Sequence, residues 1–165
     1  MRYFNNPQAM LKLISSMQDG FAATLTIFFA TLIFSIPLGM IVALLRMSKR
    51  RVISVPVSLY ILIMRGTPLM LQLFAVYFAL PMLFGLNLDR MTATILAFAL
   101  NYAAYFAEIF RGGMMSIPVG QHEACQVLGM TKVQAFWHIV LPQVVKRVLL
   151  PVSNEGITLV KDTSL

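Results

Sequence analysis

Between Phe21 and Leu45 the chain runs for 25 residues without a charged side chain, whereas roughly 20 apolar residues are enough to cross a hydrocarbon core of about 30 Å. Composition agrees with a membrane setting. The chain is 59% hydrophobic and 12% charged, with a mean hydropathy of +0.80, against an apolar share of about 45–50% in soluble domains. A cleavable signal peptide would show a basic start and a short apolar core, but here a mixed segment with Asn5, Asn6, Pro7 and Asp19 precedes a run that is too long, so the span is expected to be retained. Pro37 lies inside it, a defect that membrane helices tolerate when neighbours cover the freed carbonyl.

Further uncharged runs follow. Val52 to Met64 and Gly66 to Leu88 are separated by Arg65 alone, and Met91 to Ala107 is closed by Glu108 and Arg111. We read one long helix entering near residue 55 and leaving near Pro81, then a short turn, then a third helix. The spans are expected near 20–45, 55–83, 90–110 and 143–165, with the polar loop 112–142 between the last two. The fold class is an all-α polytopic helical bundle. Lys and Arg set its orientation: Arg46, Lys49, Arg50, Arg51, Arg65, Arg111, Lys132, Lys146 and Arg147 fall on one side, and Arg2, Lys12 and Arg90 on the other. The basic side is cytoplasmic under the positive-inside rule, so the N-terminus is expected outside. The net charge of +7 is thereby absorbed as a topology signal, with no polar, aromatic-interleaved face for nucleic acid.

The loop from 112 to 142 is too polar to enter hydrocarbon, and its punctuation predicts two short helices. Pro118 suits a first turn, Gly129 suits a left-handed helix end, and Thr131 with Gln134 has the T-x-x-Q form of a capping box. Pro142 is expected to stop the second helix. The pair would project as a knob. Physics leaves two readings of it, an amphipathic hairpin on lipid headgroups anchored by Trp137, or a docking element.

No G-x-x-x-x-G-K-[ST] loop is present to cradle phosphates, His122 and His138 are 16 residues apart, and Cys125 is the sole cysteine, so neither a nucleotide site, a metal site nor an enzyme's constellation is expected. No cofactor is implied. Two function classes remain: the translocation subunit of an importer, and a stand-alone secondary transporter or channel component, for which an internal repeat would be the sign.

The order Glu123, Ala124, Cys125, Gly129, Ile139, Leu141, Pro142 resembles the EAA loop of permease subunits of ATP-binding cassette importers, with Cys125 where the pattern prefers a second alanine. The stretches "MRGTPLMLQLFAVYFALP", "AYFAEIFRGGMMSIPVGQHEA" and "LVKDTSL" are similar to permeases of the polar amino-acid uptake branch. The resemblance implies a type I importer transmembrane domain whose loop docks on a separate ATP-binding cassette ATPase. It also implies an extracytoplasmic solute-binding protein, pairing with a second permease copy or a paralogue, a polar amino acid as cargo, and residence in a bacterial cytoplasmic membrane in contact with lipid. Members of this branch continue past "KDTSL" through another helix, so a fifth span is expected beyond Leu165.

Charges in the fourth span carry the last expectation. At about 1.5 Å per residue Lys161 lies roughly 21 Å beyond Arg147, inside a core of about 30 Å, where an ionised group facing lipid costs at least about 2.5 kcal/mol. Lys161 and Asp162 are therefore expected to line a wet path, with Thr163 and Ser164 as hydroxyl donors and Asn154 and Glu155 nearer the inside. A structural ion pair with Glu108 or with a second copy is the alternative. One basic and one acidic group would complement an amino acid's carboxylate and ammonium.

Overall fold

The computed structural model describes residues 7–163; the expectations placed on Arg2, Asn5, Asn6, Ser164 and Leu165 lie outside them. Six helices follow in order: α1 Pro7–Arg46, α2 Arg51–Gly66, α3 Leu69–Phe84, α4 Arg90–Met115, α5 Val119–Val127 and α6 Lys132–Asp162. No strand occurs among the described residues. Three of the helices are long and apolar enough to cross a membrane, or four spans if α2 and α3 are taken as one bent pair.

The helix that carries the first span begins at Pro7, ahead of the uncharged run from Phe21. A proline is tolerated in a first turn, and the residues that follow it are rich in Met, Leu, Gln and Lys, which are strong helix formers. Pro37 sits inside without ending the helix. The side of α1 that meets the bundle is a stripe of small residues four apart, Thr31, Ser35, Gly39 and Ala43, of which Thr31, Ser35 and Ala43 are fully buried. It lies against α4, whose buried face carries Ala97, Ala103, Ala104 and Ala107 beside Phe98, Tyr102, Phe106 and Phe110. A Cβ on Gly39 would stand 2.7 Å from the Phe106 Cβ and 3.0 Å from the Ala103 carbonyl. Such close backbone approach through small residues is how membrane helices gain van der Waals contact where the lipid is as apolar as leucine.

The second span is not one helix. α2 and α3 meet at 111° across Thr67 and Pro68. Pro68 has no N–H and forces the residue before it out of the helical region; Thr67 is extended, at φ −116° and ψ 146°. α3 ends at Gly85, φ 66°, and the short connection leads to Asp89, which caps α4 by accepting from the Thr92 amide at 3.0 Å and the Thr92 hydroxyl at 2.5 Å. Those two hydrogen bonds, the hydroxyl's first, hold the Asp89 carboxyl below the usual carboxylate range.

Pro142 does not stop the helix that starts at Lys132. The chain widens into a π turn over Phe136–Val140, where the Leu141 amide reaches back to the Phe136 carbonyl, and then runs through Pro142 to Asp162. α3 contains the same device, a π turn over Ala75–Ala79 with the Leu80 amide bonded to the Ala75 carbonyl, directly before Pro81. An in-helix proline lacks a donor and its ring strikes the carbonyl four residues back. One extra residue in the preceding turn shifts that carbonyl aside and lets the helix continue.

Candidate functional site

The break in the second span creates the polar centre of the molecule. In an unbroken helix the Met64 carbonyl would accept from residue 68, but that residue is proline. Two buried amides take its place: Asn101 Nδ2 donates to the Met64 carbonyl at 2.9 Å, and Gln72 Nε2 donates to the same carbonyl at 2.9 Å. Gln72 also donates to Thr67 Oγ1 at 2.7 Å and to the Thr67 carbonyl at 3.1 Å, while its own Oε1 accepts from Asn101 at 2.8 Å. Thr67 closes the α2 end by donating its amide and hydroxyl to the Ile63 carbonyl. With the Ile63, Met64 and Thr67 carbonyls answered, the kink is held in one geometry, because an unsatisfied backbone group in such surroundings costs about 1–3 kcal/mol.

Against this kink opens a cavity of about 490 Å³, lined by Thr67, Pro68, Leu69, Met70, Asn101, Tyr102, Tyr105, Glu155, Thr158 and Asp162. Tyr102 donates its hydroxyl to Asp162 at 2.6 Å, so one carboxylate is oriented and the other, Glu155, stands two turns earlier on α6. Asp162 and Thr163 also line a more apolar cavity of about 380 Å³ with Leu69, Tyr77 and Phe98. A third, of about 390 Å³, is lined by Arg46, Ser58, Ile61, Leu62, Arg65, Gly66, Tyr105 and Glu108.

Of the residues singled out in the sequence, Glu155 and Asp162 share the central cavity. Thr163 borders the apolar one and donates to the Val160 carbonyl at 2.8 Å. Glu108 lies in the basic cavity and pairs with Arg111 at 2.6 Å. Lys161 and Asn154 are exposed and line none of these three cavities. Tyr102, Tyr105, Asn101, Gln72 and Thr158 were not singled out. All are uncharged and sit in runs read for hydropathy; the signal was Pro68 itself, since a proline inside a buried helix demands substitute donors.

Between α4 and α6, Gly129 and the Thr131–Gln134 box act as the sequence predicts, whereas the two prolines do not. Pro118 stands one position outside the helix, as its cap, and α5 ends where Gly129 takes φ 68°. The Met130 amide bonds the Cys125 carbonyl at 3.0 Å and the Gly129 amide bonds Gln126 at 3.0 Å, the paired pattern of a Schellman end. Thr131 and Gln134 form the reciprocal capping box. Cys125 is buried, facing a small cavity with Ala135 and Phe136, whereas Glu123, Ala124 and Gly129 are exposed. Ile139 and Leu141 are half-buried and Pro142 is exposed. Val127 and Leu128, 88% and 75% exposed, put two large apolar side chains at the tip beside Gly129. Two clamps hold the loop to α6: Gln143 donates to Gln121 at 3.1 Å, and Arg147 donates to the Ser116 carbonyl at the end of α4.

Known proteins resemble this chain. The L-cystine transport system permease protein TcyB of Bacillus subtilis is 39% identical over 149 residues, covering 90% of this chain and 63% of that protein. The probable amino-acid permease protein YxeN of the same organism is 39% identical over 158 residues, 94% of this chain and 70% of that one. The chain thus spans less than two thirds of the cystine permease's length. A crystal structure of an amino acid ABC transporter with histidines superposes with a TM-score of 0.84 at 36% identity, over 96% of this chain and 74% of that one, so the fold is that of a type I ABC importer transmembrane domain. Residues 35–165 match the family described as binding-protein-dependent transport system inner membrane component, and the chain belongs to that family.

Proposed function

We propose that the chain is the translocation subunit of an ATP-driven amino-acid importer, forming half of a membrane path and coupled to a separate ATPase. The observation that carries this reading is the course of α6. One unbroken helix begins at the Thr131 cap of the exposed loop and ends at Asp162 in the central cavity, so a push on the loop is delivered to the cavity wall. Its 31 residues correspond to about 45 Å of lever. The residues Glu123, Ala124, Cys125, Gly129, Ile139, Leu141 and Pro142 form the ATPase-coupling element, with Glu123 as the exposed polar contact. Lys161, Asp162, Thr163, Glu155, Asn154 and Glu108 are the substrate-path set, of which Asp162 and Glu155 stand nearest the kink. A solute-binding protein delivers a polar amino acid from outside, and a second permease, identical or paralogous, closes the path.

The test uses the permease assembled with its ATPase and solute-binding protein in liposomes. Gly129→Val strains a backbone at φ 68° without touching any neighbour, since nothing lies within 4 Å of its Cβ position; a left-handed β-branched residue costs about 1–2 kcal/mol. The variant is expected to remain inserted and to lose amino-acid uptake at least about tenfold. Uptake at the wild-type rate removes the loop from coupling. Failure of the wild type to retain an ATPase polypeptide in mild detergent overturns the importer reading altogether.

For orientation, the nine-to-three basic asymmetry favours loop 112–142 in the cytoplasm and the N-terminus outside. In a Cys125→Ala background, single cysteines at Asn87 and Lys49 are expected to react with an impermeant maleimide from opposite sides. Labelling of both from outside would sink the assignment.

A further inference from the structure

On the loop side of the central cavity, two consecutive turns of α6 face the end of α4 and the start of the loop. Gln143 and Arg147 stand four residues apart and so share a face of the helix. Gln143 Nε2 donates to Gln121 Oε1 on α5 at 3.1 Å and to the Ile139 carbonyl of its own helix at 3.0 Å, which fixes the course of the side chain. Arg147 Nη1 donates to the Ser116 carbonyl, one of the groups at a helix end that no intrahelical amide can reach. Beside this polar pair, Val144 and Val148 are buried in one core with Ile117, and a Cβ on Gly113 would stand 2.3 Å from Val148 Cγ1. The entry of the loop is thereby fastened to the same helix into which its exit turns at Thr131.

Between these two ends α5 is propped off α6. A cavity of about 300 Å³ separates them, with His122, Cys125 and Gln126 on one wall and Lys132, Phe136 and Val140 on the other. Cys125 is the one α5 residue that is buried. Close packing is what makes neighbouring helices transmit a displacement, and along α5 a gap stands in its place, so the angle of α5 is set by the contacts at its start. We infer that Gln143 and Arg147 are positioning residues for coupling: Arg147 holds the corner ahead of α5 and Gln143 holds its first turn, so that α5 and the inner half of α6 move as one body. This rests on the proposed transport reading and adds to it the side chains that convert a displacement of the loop into one of the cavity wall. Without them α5 turns about its corners at Pro118 and Gly129, and the ATPase moves the loop while Asp162 stays in place.

The test reconstitutes the assembled importer in liposomes with its solute-binding protein and reads amino-acid uptake and ATP hydrolysis in the same vesicles. In the double variant Gln143→Leu, Arg147→Met the ATP hydrolysed per amino acid taken up is expected to rise at least about fivefold, the low end of ordinary coupling between distant sites, with hydrolysis itself largely kept. Arg147→Lys, whose ammonium still donates to a carbonyl, is expected to stay near the wild-type ratio. So is Gln121→Glu with Gln143→Lys, which replaces the amide pair by an ion pair. A purely structural role lowers uptake and hydrolysis in proportion and leaves the ratio unchanged; that outcome overturns the inference, as does an unchanged ratio at full activity. A second arm decides even where the double variant does not assemble. Gln121→Cys with Gln143→Cys, in a Cys125→Ala background and compared with that background alone, is joined by a short bis-methanethiosulfonate linker. Cross-linking is expected to bring the ratio back to that of the background, and a reductant to undo the repair. Uptake that stops on cross-linking while hydrolysis continues means that α5 leaves α6 during transport, and overturns the inference. A wild type that takes up no amino acid fails the transport reading; a wild type that couples, with variants that couple equally well, fails the inference alone.

Discussion

Asp162→Asn lowers amino-acid uptake by about tenfold to a hundredfold while ATP hydrolysis stimulated by the solute-binding protein continues. The expectation follows from what the substitution leaves in place. Asparagine keeps the shape and the carbonyl oxygen that accepts the Tyr102 hydroxyl at 2.6 Å, so the α4–α6 contact survives and only the negative charge goes. A charge-assisted hydrogen bond to an ammonium is worth about 1.5–3 kcal/mol, which is that range of fold-change. Glu155→Gln, in the same cavity, is expected to act in the same direction. Lys161→Gln, in the same substrate-path set, is expected to lower uptake less, because its side chain is exposed and borders none of the three cavities around the kink. Uptake unchanged in both carboxylate variants would remove the cavity from the substrate path.

Gly39→Val separates α1 from the bundle. Its new side chain would meet the Phe106 Cβ at 2.7 Å, the Ala103 carbonyl at 3.0 Å and the Ala107 amide nitrogen at 3.2 Å. Two of these three atoms are backbone and the third is the first atom of a fully buried aromatic, so none can swing aside. Overpacking of a tight core costs about 1–3 kcal/mol, sometimes more, and helix association in lipid has no hydrophobic surplus to offset it. The unfolding midpoint in detergent should fall by several degrees. Gly20→Ala, on the exposed outer part of α1 where nothing lies within 4 Å, should leave it unchanged or slightly raised, since alanine favours helix over glycine. Equal stability in the two variants would mean that the Thr31–Ser35–Gly39–Ala43 stripe is not the contact that holds α1.

Charge and its absence made the membrane segments legible, because a run such as Phe21 to Leu45 has few places to go other than hydrocarbon. The loop was legible for a different reason: Gly129, Thr131 and Gln134 act on their own backbone within one turn, so nothing distant can override them. What lay between was harder to read. Pro68 and Pro142 look alike in sequence, yet one breaks a span at 111° and the other is passed through. The difference is supplied by partners and by widening: Gln72 and Asn101 hold the first break open, whereas the π turn at Phe136–Val140 absorbs the second proline. The same two amides were overlooked because a search for ionised groups inside membrane runs passes over neutral ones. Lys161 and Asp162 were read together from their depth in the span, but neighbours on a helix point about 100° apart, and of the two only Asp162 lines the cavities around the kink.

The two π turns have a consequence for how this chain tolerates changes of length. Each holds one residue more than an α-helix would use over the same turn, so removing a single residue from Phe136–Val140 restores ordinary spacing and leaves the helix on either side in nearly its present rotation about the α6 axis. The exposed tip at Gly129 would then keep its direction relative to Asp162, whereas a residue lost elsewhere in α6 turns the tip by about 100° relative to the cavity. The slack for one deletion is therefore confined to the turn before each proline, and the same holds at Ala75–Ala79 between the kink at Pro68 and the outer turn at Gly85.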